Sequence, residues 1–123
     1  MRPEERDAAY VWDVVEAGEA IVRYLDTKTF DDYLGDSMVR AAVERQLTIL
    51  GEATKRMSEA FRGAHPEIEW RNIIGLRNVL MHEYDEIDNN RIFVIGTEFV
   101  PRLVATLRPL LPEIPPDPEP GEP

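Results

Sequence analysis

The chain has no cysteine and only two histidines among its 123 residues. Without cysteine there is neither a disulfide nor a thiolate metal site. There is also no uninterrupted run of about 18 apolar residues, so no segment is predicted to span a membrane. The first twenty residues are rich in acid, which is atypical of secretory and transit peptides. These absences favour a cytoplasmic protein, and they leave very few side chains that can transfer protons near neutral pH.

Basic residues are also scarce, because 24 acidic side chains outnumber 14 basic ones and the formal net charge is -10. The acid lies mostly at the two ends. Residues 37–82 carry seven basic and five acidic side chains, whereas both flanking segments are strongly acidic. Non-specific binding to nucleic acid depends on positive charge, so it is expected to be weak. A local cationic pocket in the middle segment is one interpretation, and plain solvation of charged helix faces is the other.

The spacing of apolar residues predicts an all-α protein, an up-and-down four-helix bundle formed by residues 1–111. The predicted helices cover residues 4–25, 37–62, about 67–84 and 90–111. A short turn is predicted around residues 30–34, between the first and second of these helices. Ser37 is predicted to cap the second helix, and Asp88 or Asn89 the fourth. Each link is short, which is typical of helices that pack against their neighbours in sequence.

Proline marks the fourth helix and the residues beyond it. Pro101 lies inside the predicted fourth helix and is expected to kink it. Half of residues 112–123 are proline, and most of the others are acidic. Such a segment has little apolar surface to bury, so it is predicted to form a disordered tail.

The segment 77–84 carries the residues that indicate chemistry. Arg77 is suited to clamping phosphate oxygens, and the imidazole of His82 is suited to proton transfer. Asn78 lies four residues before His82, on the same face of a helix, where it is expected to orient the ring. Together they indicate reaction at a phosphodiester without a metal. Arg71 is a candidate for contact with an RNA backbone, and surface solvation is its alternative role.

The spacing of Arg77 and His82 indicates a second chain. On a regular helix these residues are about 140° apart, at about 100° per residue. Either the helix ends near His82 or a second copy completes the site. Cleavage of RNA by its own 2′-hydroxyl needs a base, an acid and a cation, and this segment offers a single histidine. A homodimer with the third helix at its interface would supply two.

The pattern formed by Arg77, Asn78, His82 and Tyr84 resembles the Arg-x4-His-x-Tyr motif of HepT toxins, in the HEPN family of small helical RNases. The preceding residues 70–78, with the sequence WRNIIGLRN, and residues 44–53 are also similar to that family. The resemblance covers about residues 37–88. It implies a metal-independent ribonuclease with RNA as its substrate, in which Arg77, Asn78 and His82 form the site and no cofactor takes part.

The resemblance further implies the toxin of a toxin–antitoxin pair. The partner in that family is MntA, a nucleotidyltransferase-type antitoxin that transfers AMP from ATP onto the motif tyrosine, here Tyr84. Added bulk and negative charge two residues from His82 would block the cleft and repel RNA. An alternative from another class is a non-catalytic HEPN binding module that partners a nucleotidyltransferase. The sequence identifies neither the RNA target, the number of AMP groups, nor any assembly beyond a dimer.

Overall fold

A computed structural model describes residues 3–80 and 88–111, without the side chains of residues 3–5 and 77–79. All regular secondary structure in these ranges is helical. The α-helices are α1 (Pro3–Leu25), α2 (Phe30–Leu34), α3 (Ser37–Arg56), α4 (Glu59–Ala64), α5 (Trp70–Leu80), α6 (Asn89–Val94) and α7 (Val100–Leu107). A π-helical segment, Ile95–Phe99, joins α6 to α7, and a 3₁₀ turn, Arg108–Leu110, follows α7. The predicted all-α class is confirmed, and the predicted tail lies outside the described residues.

Four long helical segments form the bundle: α1, α3, α5 and the run from α6 to α7. Helix α3 packs against both α1 and α5, and α1 packs against α7 as well. Two groups of buried side chains fill the space between them. The first group includes Val14, Leu50 and Ile73, and the second includes Ile21 and Leu76. Because α1, α3, α5 and α7 contribute to both groups, one continuous core holds the bundle together.

The prediction of a single second helix over residues 37–62 is wrong. Helix α3 ends at Arg56, and Met57 is extended, with φ −63 and ψ 147. Ser58 then caps the separate helix α4 by accepting a hydrogen bond from the Phe61 N–H. The buried Asp7 of α1 accepts hydrogen bonds from the Ser58 N–H and Oγ, at 2.8 and 2.6 Å. These bonds stabilise the break, because they satisfy donors that a continuous helix would use internally.

The caps of the other helices differ from the predictions by one residue at most. Asp36, rather than Ser37, caps α3 and accepts hydrogen bonds from the Met38 and Val39 N–H groups. Asp88 caps α6, as predicted, and accepts from the Arg91 N–H at 3.1 Å. Carboxylates at these positions replace the missing intrahelical partners of the first turn.

The irregularity expected at Pro101 takes the form of the π-helical segment just before it. The Val100 N–H donates to the Ile95 carbonyl, five residues back instead of four. Proline has no N–H to continue the regular pattern, and π-helical turns are a known way of absorbing such a break. The apolar residue Val94, on the predicted fourth helix, is not part of the core, because its side chain is 42% exposed. Within residues 3–80 and 88–111, no helix is both long and apolar enough to cross a membrane.

Candidate active site

The start of α5 is fixed by Trp70. Its indole Nε1–H donates to the carbonyls of Arg62 and His65, both at 2.9 Å. The Trp70 ring packs edge-on against Phe61, with the ring centroids 6.0 Å apart. His65 itself ends α4 and packs against Phe61, which is the structural role that its position before Pro66 suggests. These contacts hold the first turn of α5 against α4.

The inner face of α5 anchors it in the core. Ile73 and Leu76 are buried, and Leu80 packs against the same group of side chains as Leu76. Their spacing of three and four residues places all three on one face of the helix. Burying a side chain of this size stabilises the fold by about 1.5–3 kcal/mol. The helix that carries the motif is therefore held along its described length.

Two of the four motif residues lie in the described part of this helix. Arg77 and Asn78 belong to the last turn of α5, although their side chains are not described. His82 and Tyr84 lie between Leu80 and Asp88, outside the described residues. Arg71 is exposed in the first turn of α5, seven residues before Asn78 and so on nearly the same face. The backbone thus places Arg71, Arg77 and Asn78 on one helix, and the distances between their functional groups are not defined.

Aromatic side chains from α2 and α6 pack beside the end of α5. Tyr33 is fully buried and lies 5.5 Å from Phe93, centroid to centroid. Phe30 meets Phe93 edge-on at 5.7 Å. Tyr33 and Leu80 belong to the same group of packed side chains. These aromatic contacts fix α6 relative to α2.

Burial shapes the ionisation of groups near this aromatic cluster. The pKa of Tyr33 is raised to about 12, mainly by burial and also by the nearby Glu44 carboxylate, while Arg40 opposes the shift. Burial also raises the pKa of Glu44, against the favourable charge of Arg40. The Arg40 guanidinium donates to the carbonyls of Tyr33 and Leu34, which joins α2 to α3. Both Tyr33 and Glu44 are therefore held in surroundings that favour their neutral forms.

A cleft separates α5 from the α6–π segment next to the motif. It has a volume of about 260 Å³ and is lined by Glu69, Asn72, Leu76, Arg91, Ile95 and Phe99. The sequence pattern gives no direct indication that Asn72, Arg91 and Phe99 line one cleft. One available signal was the spacing of Arg91, Ile95 and Phe99, which lie four residues apart along one stripe. Tertiary packing determines which stripe of the α6–π segment faces α5, and this packing cannot be read from the sequence.

The described residues contain no group of three or more His, Asp or Glu side chains placed to hold a metal ion. The polar groups that line the cleft are the Asn72 amide, the Arg91 guanidinium and the Glu69 carboxylate. Guanidinium and amide groups bind phosphate oxygens and base edges, so this set is suited to nucleotide recognition.

Comparison with known proteins defines the class. The model of a family described as "Ribonuclease HepT-like" matches residues 14–110. A protein of Thermococcus cleftensis named "Probable ribonuclease HepT" is 36% identical over 103 residues, which cover 84% of this chain and 92% of the relative. A Methanocaldococcus jannaschii protein named "Putative RNase MJ1380" is 32% identical over 95 residues, or 77% of this chain and 87% of that protein. No solved structure matches the chain.

An all-α bundle that is matched over most of its length by a ribonuclease family model is a small helical ribonuclease. The chain belongs to the HepT-like ribonuclease family.

Proposed function

We propose that the protein cleaves RNA without a metal, by attack of the 2′-hydroxyl on the adjacent phosphate. His82 removes the proton from the 2′-oxygen, and the new O–P bond forms as the bond to the 5′-oxygen breaks. An imidazolium, His82 of a second protomer, gives a proton to the departing 5′-oxygen. The products are a 2′,3′-cyclic phosphate and a free 5′-hydroxyl, so protons and electrons balance without a co-reactant.

Arg77 stabilises the negative charge that develops on the phosphoryl oxygens. Asn78 orients the imidazole of His82, and Arg71 contacts the RNA backbone from the first turn of α5. The support for these roles is the motif itself, carried by a helix whose start and inner face are firmly anchored. An anchored helix reduces the freedom of the catalytic groups, which favours reaction.

A homodimer through α5 would bring two copies of the motif together. The outer face of this helix is open: Arg71 is exposed, and a methyl group added at Gly75 would have no neighbour within 4 Å. That face therefore has room for the approach of a second chain. A homodimer supplies the second histidine that the acid step requires, and further assembly with an antitoxin is compatible with it.

The activity is controlled, in this proposal, by a nucleotidyltransferase antitoxin of the MntA type that places AMP on Tyr84. The phosphate of an adenylyl group adds negative charge beside Arg77 and His82. It would occupy the position of the substrate phosphate and repel RNA. The protein is then the toxin of a toxin–antitoxin pair.

The single observation that carries the proposal is the family match over residues 14–110, because it contains the complete motif. Expression in bacterial cells tests it. Expression of the parent sequence or of Tyr84→Phe should stop growth, whereas expression of His82→Ala should not. Co-expression of the nucleotidyltransferase should restore growth with the parent sequence and leave Tyr84→Phe toxic. Rescue of Tyr84→Phe to the same degree would contradict control through this tyrosine.

The alternative is a non-catalytic module that binds a nucleotidyltransferase. The net charge of -10 favours it, since RNA is repelled by most of the surface. Under this alternative, His82→Ala would leave both growth and binding to the nucleotidyltransferase unchanged, and the unmodified chain would not be toxic.

A further inference from the structure

The cleft between α5 and the α6–π segment has walls of different chemistry. Leu76 and Ile95 are apolar, Phe99 presents an aromatic ring, and Asn72 and Arg91 add an amide and a guanidinium. The cleft has a volume of about 260 Å³ and is open to solvent. A planar ring system can therefore enter it from outside.

Arg91 is available to a ligand. Its side chain is exposed, and no carboxylate within residues 3–80 or 88–111 forms an ion pair with it. Its backbone is held in place, because the Arg91 N–H donates to the Asp88 cap. An exposed guanidinium on a fixed backbone is suited to contact with a phosphate.

Phe99 is partly buried against the core and also lines the cleft. It is the last residue of the π-helical segment, so the irregular turn determines the side of the helix from which its ring projects. Such turns occur frequently at functional sites. Proteins that bind single-stranded RNA commonly stack bases on aromatic rings beside a cationic side chain.

Both walls of the cleft are also close in sequence to the segment 77–84. On α5, Leu76 directly precedes Arg77. On the other wall, Arg91 lies three residues after Asp88, where the described chain resumes beyond the motif. A nucleotide bound here would therefore be joined to RNA that continues toward the motif.

We propose that this cleft binds one unpaired base of the RNA substrate, a neighbour of the nucleotide at which the chain is cut. The base stacks on Phe99, Asn72 contacts its edge, and Arg91 holds the adjoining phosphate. The inference rests on the proposed function and specifies it further: the substrate is single-stranded at this position, because a paired base cannot enter the cleft.

The charges favour RNA held at one end of the cleft. Arg91 lies near the end of α5 that carries the motif, while the Glu69 carboxylate lies just before the start of that helix. A phosphate is attracted to the Arg91 guanidinium and repelled by the Glu69 carboxylate.

The test is binding of a fluorescein-labelled single-stranded RNA, measured by anisotropy in a His82→Ala background so that the probe stays intact. Phe99→Leu keeps an apolar group against the core and removes the ring, and it should weaken binding about tenfold. Phe99→Tyr keeps the ring and should bind as the parent does. Arg91→Ala should weaken binding and reduce the slope of log K against log salt by about 0.7. The matched control is Arg23→Ala, an exposed arginine on α1, which should change neither.

The outcomes separate the two proposals. If the parent binds RNA but Phe99→Leu and Arg91→Ala bind equally well, the cleft proposal is wrong and the proposed function stands. Weaker binding in Arg91→Ala alone would overturn the base pocket, since a phosphate contact needs no aromatic wall. If the His82→Ala parent does not bind RNA and the chain with His82 intact does not cut it, the proposed function fails together with this inference. Thermal unfolding of each variant confirms that the compared proteins are folded.

Discussion

The hydroxyl of Tyr33 is buried without a hydrogen-bond partner in the part of the chain that the structure describes. Burying a polar group without a partner costs about 1–3 kcal/mol. The aromatic contacts with Phe93 and the burial of the ring offset that cost. The ring of Tyr33 therefore stabilises the fold, whereas its buried hydroxyl destabilises it.

Replacing Tyr33 with Phe should leave the melting temperature unchanged or raise it at neutral pH, because the ring remains and the buried hydroxyl is lost. The difference should grow in alkali. Above pH 10 an unfolded tyrosine loses its proton, whereas folded Tyr33 keeps it until about pH 12. Unfolding then becomes more favourable as the pH rises from 10 to 12, and Tyr33→Phe lacks that loss of stability.

Denaturant unfolding at pH 7 and at pH 10.5 or above (about the range of these pKa values) measures the effect. Tyr10→Phe, at a half-buried tyrosine of α1, is the matched control. A clear loss of stability in Tyr33→Phe at neutral pH would show that the hydroxyl has a favourable partner.

At the scale of the residue, a local motif can be found in the sequence, whereas contacts between distant residues cannot. Arg77, Asn78, His82 and Tyr84 were recognised because a motif is local and its spacing is visible in the sequence. The hydrogen bonds from Ser58 to Asp7 could not be recognised in this way, because 51 residues separate the two partners. Arg91 and Phe99 were missed for the same reason, since only packing makes them walls of one cleft.

At the scale of the element, a helix end could be predicted only where the local sequence determines it. The Asp88 cap was predicted because an Asx residue precedes an apolar stripe, and the structure confirms it. The end of α3 at Arg56 was not predicted, because the apolar spacing continues through Met57 and Phe61. Tertiary hydrogen bonds from α1 override that periodicity.

Two glycines in helices should respond oppositely to alanine. A Cβ at Gly18 would lie 2.5 Å from Cγ2 of Val104, so either the Val104 side chain must rotate or α1 and α7 must move apart. A Cβ at Gly63 would have no neighbour within 4 Å. Gly18→Ala should therefore destabilise the fold by about 1–3 kcal/mol. Gly63→Ala should stabilise it by up to about 1 kcal/mol, through helix propensity.

Urea unfolding of both variants beside the parent measures these changes. Equal stability of Gly18→Ala and the parent would mean that Val104 can rotate away at little cost, and the close packing of α1 on α7 would then not depend on this glycine.

At the scale of the whole molecule, the all-α bundle followed from apolar periodicity, short links and the absence of any strand pattern. These features are distributed over the whole chain, so an error at one helix end did not alter the fold class. The boundary between the bundle and the tail at residue 111 stays a prediction, as do the roles of the motif residues. Their side chains lie outside the described structure.

The acidic surface of the molecule also has a consequence for its substrate. A protein with net charge -10 attracts RNA only where cationic groups are concentrated. Arg71 on α5 and Arg91 on α6 are exposed. Arg77 lies between them in sequence, in the last turn of α5. Recognition then depends on a small, shaped site, and non-specific binding should be weak at physiological salt.

Incubation of the purified protein with total cellular RNA in the presence of EDTA tests the central claim most directly. The account predicts cleavage that leaves 2′,3′-cyclic phosphate ends and that is lost in both Arg77→Ala and His82→Ala. Intact mass, measured first, must show that Tyr84 carries no AMP. An unmodified, folded protein that leaves RNA intact, or cuts it equally well in the two variants, would contradict the account.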